Sequence, residues 1–376
     1  MTMTDNRPLL FERFPSLRGD VEWLELGEYP TPVGELKGIA AAKGLSALYI
    51  KRDDLSSPHY GGNKVRKLEF VLARAKALGH KSVMTFGAAG SNHVLATVIH
   101  GRRLGLRTIA VMFPQPNAAY VRKNLLLDMA NDATFVYADS MAKLPLAVSK
   151  GMAMAMEQDG RAPYLIPPGG TSARGCLGYI DGALELKRQV EAGLLPEPEF
   201  IFVTLGSSGT AAGLMLGVVA AGMKSLVVPV RVVDRYMCNS YVLALHVNNA
   251  RRFLMERGAD IMSRPVAARD IALVDEFAGD YYARFTDECM EAVAMARDLD
   301  GIKLEGTYTG KTMAGALDFL ERHGLKSRRS LFWNTYSSAE LYESVSDLDY
   351  RGLPEPLHRY FQDPLQEEEM GCEVVY

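Results

Sequence analysis

A chain of 376 residues with 48% hydrophobic and 23% charged side chains has the make-up of a globular protein, with room for one large or two medium cores. A net charge of -3, with no basic patch interleaved with aromatics, excludes a nucleic-acid partner. No apolar run approaches the roughly 18 residues needed to cross a bilayer, and Met1 to Phe11 lacks the apolar stretch of a signal peptide, so the cytoplasm is the expected compartment. Four scattered cysteines without a CxxC pair read as reduced thiols, and His93 and His100 have no third ligand in step with them, so no metal site is expected.

In chain order, residues 1 to 60 form an opening segment with a short helix predicted over 35–43 and a strand over 47–51. A glycine turn, Gly61-Gly62-Asn63, then delivers Lys64 to a helix whose apolar residues recur at Val65, Leu68, Leu72 and Ala75 until Gly79. From there strands and helices alternate. Strands are predicted over 82–86, 108–113, 133–137 and 164–166, and helices over 91–104, 118–129 and 144–158. A long helix over 175–192 precedes strands at 200–205 and 226–233, with a helix at 209–221 between them. The strands are continuously apolar, as in parallel sheets covered on both faces. From Glu340 onward the chain turns acidic, ten carboxylates, Glu340 included, against Arg351 and Arg359, which reads as a solvated extension, 341–376, with Leu357, Tyr360 and Phe361 as available anchors.

Chemistry is sought at the turns that follow parallel strands. Lys64 sits at a helix mouth beside Arg66 and Lys67, where neighbouring positive charge disfavours protonation, so it is a candidate for a Schiff base with an aldehyde cofactor or a carbonyl substrate. A lone lysine there would ordinarily be a solvated cation; the other turns alter that reading. Gly87 to His93 offers Ser91 as a helix cap and free amides to an anion such as a carboxylate. Gly206-Ser207-Ser208-Gly209-Thr210-Ala211-Ala212-Gly213 has the small residues and hydroxyls of a phosphate cup, without the lysine of a P-loop, the register of a dinucleotide fingerprint or the GxSxG of a hydrolase elbow. Such a cup suits a phosphate that stays attached. Pro167 to Ser172 would close over what the others hold.

Together these segments, over about residues 20 to 340, resemble the fold-type II pyridoxal-phosphate enzymes, in the branch of D-cysteine desulfhydrase and 1-aminocyclopropane-1-carboxylate deaminase. The stretches that carry the resemblance are Lys51-Arg52-Asp53-Asp54-Leu55, Gly61-Gly62-Asn63-Lys64 with Arg66-Lys67-Leu68-Glu69, Ser91-Asn92-His93, the cup at 206–213 and Thr307-Tyr308-Thr309-Gly310-Lys311. It implies an α/β, two-domain fold like the tryptophan synthase β subunit, with parallel-rich sheets flanked by helices. Residues 1–66 plus 176–340 would be a large cofactor domain and 67–175 a small one. Lys64 would carry pyridoxal 5'-phosphate, with Asn92 on its ring oxygen, Ser207, Ser208, Gly209 and Thr210 on its phosphate and Thr335 near its pyridine nitrogen. Ser91, Asn92, His93 and Thr309 would face the substrate, and Tyr282 and Tyr308 would lie over it. Gly90 in place of glutamine, Tyr336-Ser337 in place of glycines and Thr309 in place of the deaminase's glutamate depart from the pattern.

The implied activity is a lyase reaction, β-elimination from a small amino acid, foremost D-cysteine to pyruvate, sulfide and ammonia. Thr309 has no carboxylate to assist ring opening, which sets 1-aminocyclopropane-1-carboxylate deamination second, beside related lyases of cysteate or serine. A catalytically silent binding protein and a Rossmann-like oxidoreductase are the readings from other classes; the retained Lys64 speaks against the first and the missing fingerprint against the second. The expected partners are a small amino acid and a second copy of the chain in a homodimer, with no nucleic acid or membrane.

Overall fold

The computed structural model describes residues 7–261 and 264–370. Two parallel-rich sheets organise it. The larger takes the strand order β1 (Val33–Glu35), β2 (Leu48–Arg52), β9 (Ser330–Asn334), β7 (Phe200–Leu205) and β8 (Leu226–Arg231); the smaller runs β5 (Thr134–Tyr137), β4 (Arg107–Phe113), β3 (Ser82–Ala88), β6 (Tyr164–Ile166). Among the described residues only β1 pairs antiparallel. Apolar runs such as Phe200 to Leu205 and Leu331 to Trp333 are buried on both faces because helices cover each side, which is why they show no alternation.

The predicted elements recur within a residue or two, with one reassignment. Glu35 ends β1, opposite Tyr49, and the helix starts at Lys37. Backbone pairing to β2 overrides the helical preference of the segment. The sequence reading stopped naming elements at residue 233. Beyond it lie helices Ser240–Met255, Asp287–Asp300 and Thr309–Arg322, and β9, which inserts between β2 and β7 with Phe332 opposite both Ile50 and Phe202.

The acidic C-terminal segment is not a solvated extension within the described residues. Leu353, Leu357 and Tyr360 are buried against Tyr120, Val121 and Leu125 of the helix Ala119–Ala130, and Val345 joins the cluster around Leu68 and Leu72. Most of the carboxylates face water while Leu353, Leu357 and Tyr360, spaced four and three residues apart, are inserted, so composition alone concealed the contact. Cys372 lies outside the described residues; Cys176, Cys238 and Cys289 are buried thiols without disulfides.

The helix Lys64–Ala77 is buried over most of its circumference, Arg66, Lys67 and Glu69 included. Arg66 makes a bidentate pair with Asp53 at 3.0 Å on both oxygens and reaches Glu185 at 3.0 Å. Tyr179 and Trp333 also donate to Asp53 Oδ2, at 2.7 and 2.8 Å, and Lys51 pairs with Glu185. Burial alone would raise the Asp53 carboxyl; Arg66 outweighs it and holds it at about 2. This fully partnered cluster ties β2, β9 and the helix Ala173–Glu191 to the start of the Lys64 helix. The motif Lys51 to Asp54 thus works as the anchor beneath the site.

Candidate active site

The carboxyl ends of β3, β6, β7 and β9 converge on a cavity of about 740 Å³ between the sheets. Lys64, Ser91, Asn92, His93, Ser207, Ser208, Thr210, Tyr282, Tyr308, Thr309 and Thr335 all line it. Gly209 lies just behind, at the first turn of the helix Gly209–Ala220.

Lys64 Nζ donates to Asn63 Oδ1 at 2.9 Å, and Asn63 Nδ2 donates to Thr210 Oγ1 at 2.9 Å, so lysine and cup are linked through one amide. Burial, then the charge of Lys67, holds the Lys64 amine well below the ordinary lysine range. Arg66, which the sequence reading counted as a second neighbour, is turned away into its pair with Asp53. The tight approach depends on Gly62, at φ +89, where a Cβ would stand 2.8 Å from the Thr335 carbonyl oxygen; Asn63 N donates to that same oxygen at 3.1 Å.

In the cup, Ser208 adopts the left-handed conformation at φ 71, and the helix that follows directs its first amides, which have no intrahelical acceptor, toward the turn. Thr171 Oγ1 donates to the Ser207 carbonyl at 2.6 Å, and the Ser208 hydroxyl is engaged with Cys238 Sγ at 2.9 Å, so the amides and Thr210 carry the anion-binding capacity. The cup is not without a lysine, as the sequence suggested. Lys67 Nζ, donating to Gly169 O at 3.1 Å, comes within 3.1 Å of where a Gly209 Cβ would lie. Burial draws its amine down to about 8.

Across the cavity Ser91 caps the helix Asn92–Arg103, accepting from Val94 N at 3.4 Å. Asn92 Oδ1 accepts from Tyr60 Oη and Asn124 Nδ2, both at 3.0 Å, which leaves its Nδ2 as the donor for a cavity oxygen. His93 is pinned by Thr85 Oγ1 at 2.8 Å, and burial with the nearby Lys64 and Lys67 keeps it neutral. Gly90 has an internal reason: a Cβ would press on Val121 at 2.7 Å and Tyr120 at 2.8 Å, and Gln115 Oε1 accepts the Gly90 amide at 2.9 Å.

Thr335 Oγ1 meets Thr204 Oγ1 at 3.2 Å, which meets Thr312 Oγ1 at 2.8 Å, a row of neutral hydroxyls. Tyr282 and Tyr308 share a hydrogen bond between their hydroxyls. Burial pushes Tyr282 to about 12 and Tyr308 well above its usual value, so both keep their protons at neutral pH.

The sequence reading missed Glu305. Its carboxylate accepts the amides of Thr307, Tyr308 and Thr309 at 2.8, 2.9 and 2.8 Å and lines the cavity, and burial raises it above the usual glutamate range. A carboxylate four residues ahead of the helix Thr309–Arg322 was a readable capping signal. The cavity is therefore not without a carboxylate, although position 309 has none. Asn63, Gln115 and Asn124 were missed too; only contact in the fold gives them roles.

These groups suit a ligand carrying a phosphate, a ring oxygen and an aldehyde: amides at a helix start, an amide nitrogen at Asn92 and a lysine amine of lowered proton affinity. A family model for pyridoxal-phosphate dependent enzymes matches residues 24–335. The D-cysteine desulfhydrase of Salmonella paratyphi B is 34% identical over 338 residues, covering 85% of this chain and 95% of its own. That of Salmonella newport is 35% identical over 308 residues, covering 78% and 87%. Among solved structures, an ACC deaminase homologue superposes with a TM-score of 0.74 at 30% identity, over 92% of this chain and all of that one. Maize serine racemase, at 18% identity and a TM-score of 0.57 over 92% and 98%, shares the fold. The chain belongs to the pyridoxal-phosphate dependent enzymes, and its cofactor is pyridoxal phosphate.

Proposed function

We propose that the chain catalyses β-elimination from D-cysteine or a close analogue, converting it with one water to pyruvate, sulfide and ammonia. The observation that carries the reading is Lys64: an amine in the cavity whose proton affinity burial and Lys67 lower well below the ordinary lysine range, linked through Asn63 to the cup. Bound pyridoxal phosphate supplies an electron sink for charge developed at Cα. Lys64 Nζ takes the Cα proton as general base. The capped turn at Ser91 and the Asn92 amide orient the carboxylate end of the substrate. The neutral row at Thr335 offers no carboxylate to keep a ring nitrogen protonated, which weakens the sink and favours prompt departure of a β-substituent over transamination. Tyr308, protonated and paired with Tyr282, can give its proton to the departing sulfur.

Glu305 supports a second reading, ring-opening deamination of 1-aminocyclopropane-1-carboxylate. Its three amide donors commit it to a structural acceptor role, which ranks this reading below elimination. Sheet membership supports a division into 1–66 plus 176–340 and 67–175, and we place the enzyme in the cytoplasm as a homodimer. Steady-state assays decide the substrate: pyruvate from D-cysteine with little 2-oxobutanoate from the cyclopropane amino acid is expected, and the reverse overturns the reading. Lys64→Ala should abolish the visible, borohydride-sensitive band of the holoenzyme; a variant that keeps it refutes the role of Lys64.

A further inference from the structure

Residues beyond 341 fall outside the stretch that the family model matches, yet they return to the two loops that bound the cavity. On one side Tyr360 Oη accepts from Gln115 N at 3.1 Å, and Gln115 in turn holds the Gly90 amide, immediately before Ser91, and donates to Tyr120 Oη at 2.8 Å. Tyr120 Oη meets Thr307 Oγ1 at 2.9 Å, next to Tyr308. Asn117 and Arg122 donate to the carbonyls of Tyr360 and Asp363, at 2.7 to 3.0 Å, and Glu369 accepts the Ala119 amide at 3.0 Å. On the other side Gln366 Oε1 accepts from Phe285 N at 3.1 Å while its Nε2 donates to Ala283 O at 3.2 Å, and Glu368 pairs with Arg284.

Ala283 is a non-glycine residue at φ 61, a conformation that persists where surrounding contacts over-determine it. Gln366 supplies two of those contacts, on both sides of Arg284 and adjoining Tyr282. The buried side chains Leu353, Leu357 and Tyr360 seat the segment on the helix Ala119–Ala130. One continuous piece of chain thereby touches the loop after β4, whose Gln115 holds the Gly90–Ser91 turn, and the loop that carries Tyr282.

We propose that residues 355–370 form a strap that sets the spacing across the cavity, with Gln366 and Tyr360 as positioning residues for the proposed elimination. Gln366 fixes Tyr282, and so the Tyr282–Tyr308 pair; Tyr360 acts through Gln115 on the Gly90–Ser91 turn. Neither touches the reacting atoms. The role rests on the elimination reading for its kinetic consequence and on geometry alone for the strap itself.

The two residues should therefore fail differently. In the full-length holoenzyme with D-cysteine, Gln366→Ala should lower kcat roughly tenfold to a hundredfold with a smaller change in KM, on the scale of small misplacements of catalytic groups. Tyr360→Phe keeps the ring and removes the hydroxyl; it should raise KM more than it lowers kcat. Gln366→Glu retains the acceptor for Phe285 N and should recover part of the loss. As a comparison, Leu195→Ala, in the core of the other sheet, should lower stability without this split. Hydrogen exchange supplies a readout without substrate: the 282–286 backbone should exchange faster in Gln366→Ala, and that of 113–116 in Tyr360→Phe. Parallel losses in both variants, or unchanged exchange at these loops, overturn the proposal. A wild type that yields no keto acid defeats the elimination reading instead, and the strap is then judged by exchange alone.

Discussion

Lys64 and Lys67 lie about one helical turn apart, and the second lowers the proton affinity of the first. The sign is simple. A Lys64 pKa depressed by burial and by Lys67 leaves the amine ready at pH values where a solvated lysine is charged. Lys67→Met removes the repelling charge, so the Lys64 pKa rises. The acid limb of the activity profile, measured at saturating cofactor, should move to higher pH; an unmoved limb would show that burial alone tunes the amine. Glu305 gives a second prediction at this scale. Replacing it with Gln removes a charged acceptor from three amides and should destabilise the fold by roughly 1.5–3 kcal/mol, read from denaturant midpoints, while loosening Tyr308.

At the scale of the elements, the cup depends on backbone meeting backbone. A Cβ on Gly209 would stand 2.9 Å from Thr171 Oγ1 and 3.1 Å from Lys67 Nζ, so Gly209→Ala should weaken cofactor binding by about tenfold or more, about 1.4 kcal/mol, in a titration of the apoenzyme. That turn, like Gly61 to Lys64 and Ser91 to His93, was legible in the sequence because strand, glycine turn and helix cap each leave a local signature. All four strands of the smaller sheet, and β2, β7 and β8 of the larger, were legible for the same reason, as apolar runs between turn residues, whereas β1 and β9 were not. What was not legible depends on partners remote in the chain. Arg66 reads as a neighbour of Lys64 when it faces Asp53 and Glu185, and the acidic tail as solvated chain when Leu357 and Tyr360 are buried. Local pattern reports what a residue can do; which neighbour it meets is decided by packing.

For the whole molecule, acid stability should follow Asp53. Its carboxyl is held at about 2 against an ordinary value of 3.8, so the folded state gains stability above the unfolded pKa and loses it as pH falls through the folded one. The contribution is about 2 kcal/mol. Asp53→Asn should flatten that part of the pH dependence between pH 4 and about 2, and its larger cost at neutral pH should come from leaving Arg66 buried without its partner. The strand order has a consequence of its own for assembly. In the larger sheet β9 stands between β2 and β7, so the ribosome must deliver residue 334 before β2, paired until then with β1 alone, has its second neighbour, a wait of some 280 residues of synthesis. The smaller sheet is drawn wholly from residues 82–166 and can close much earlier. In pulse-labelled refolding its amides, around Ile109 to Val111, should gain protection before those of Leu331 to Trp333. During that interval β2 and β7 have open edges toward each other's place, and the growing chain carries half of a binding site with its lysine already made and nothing yet to hold it.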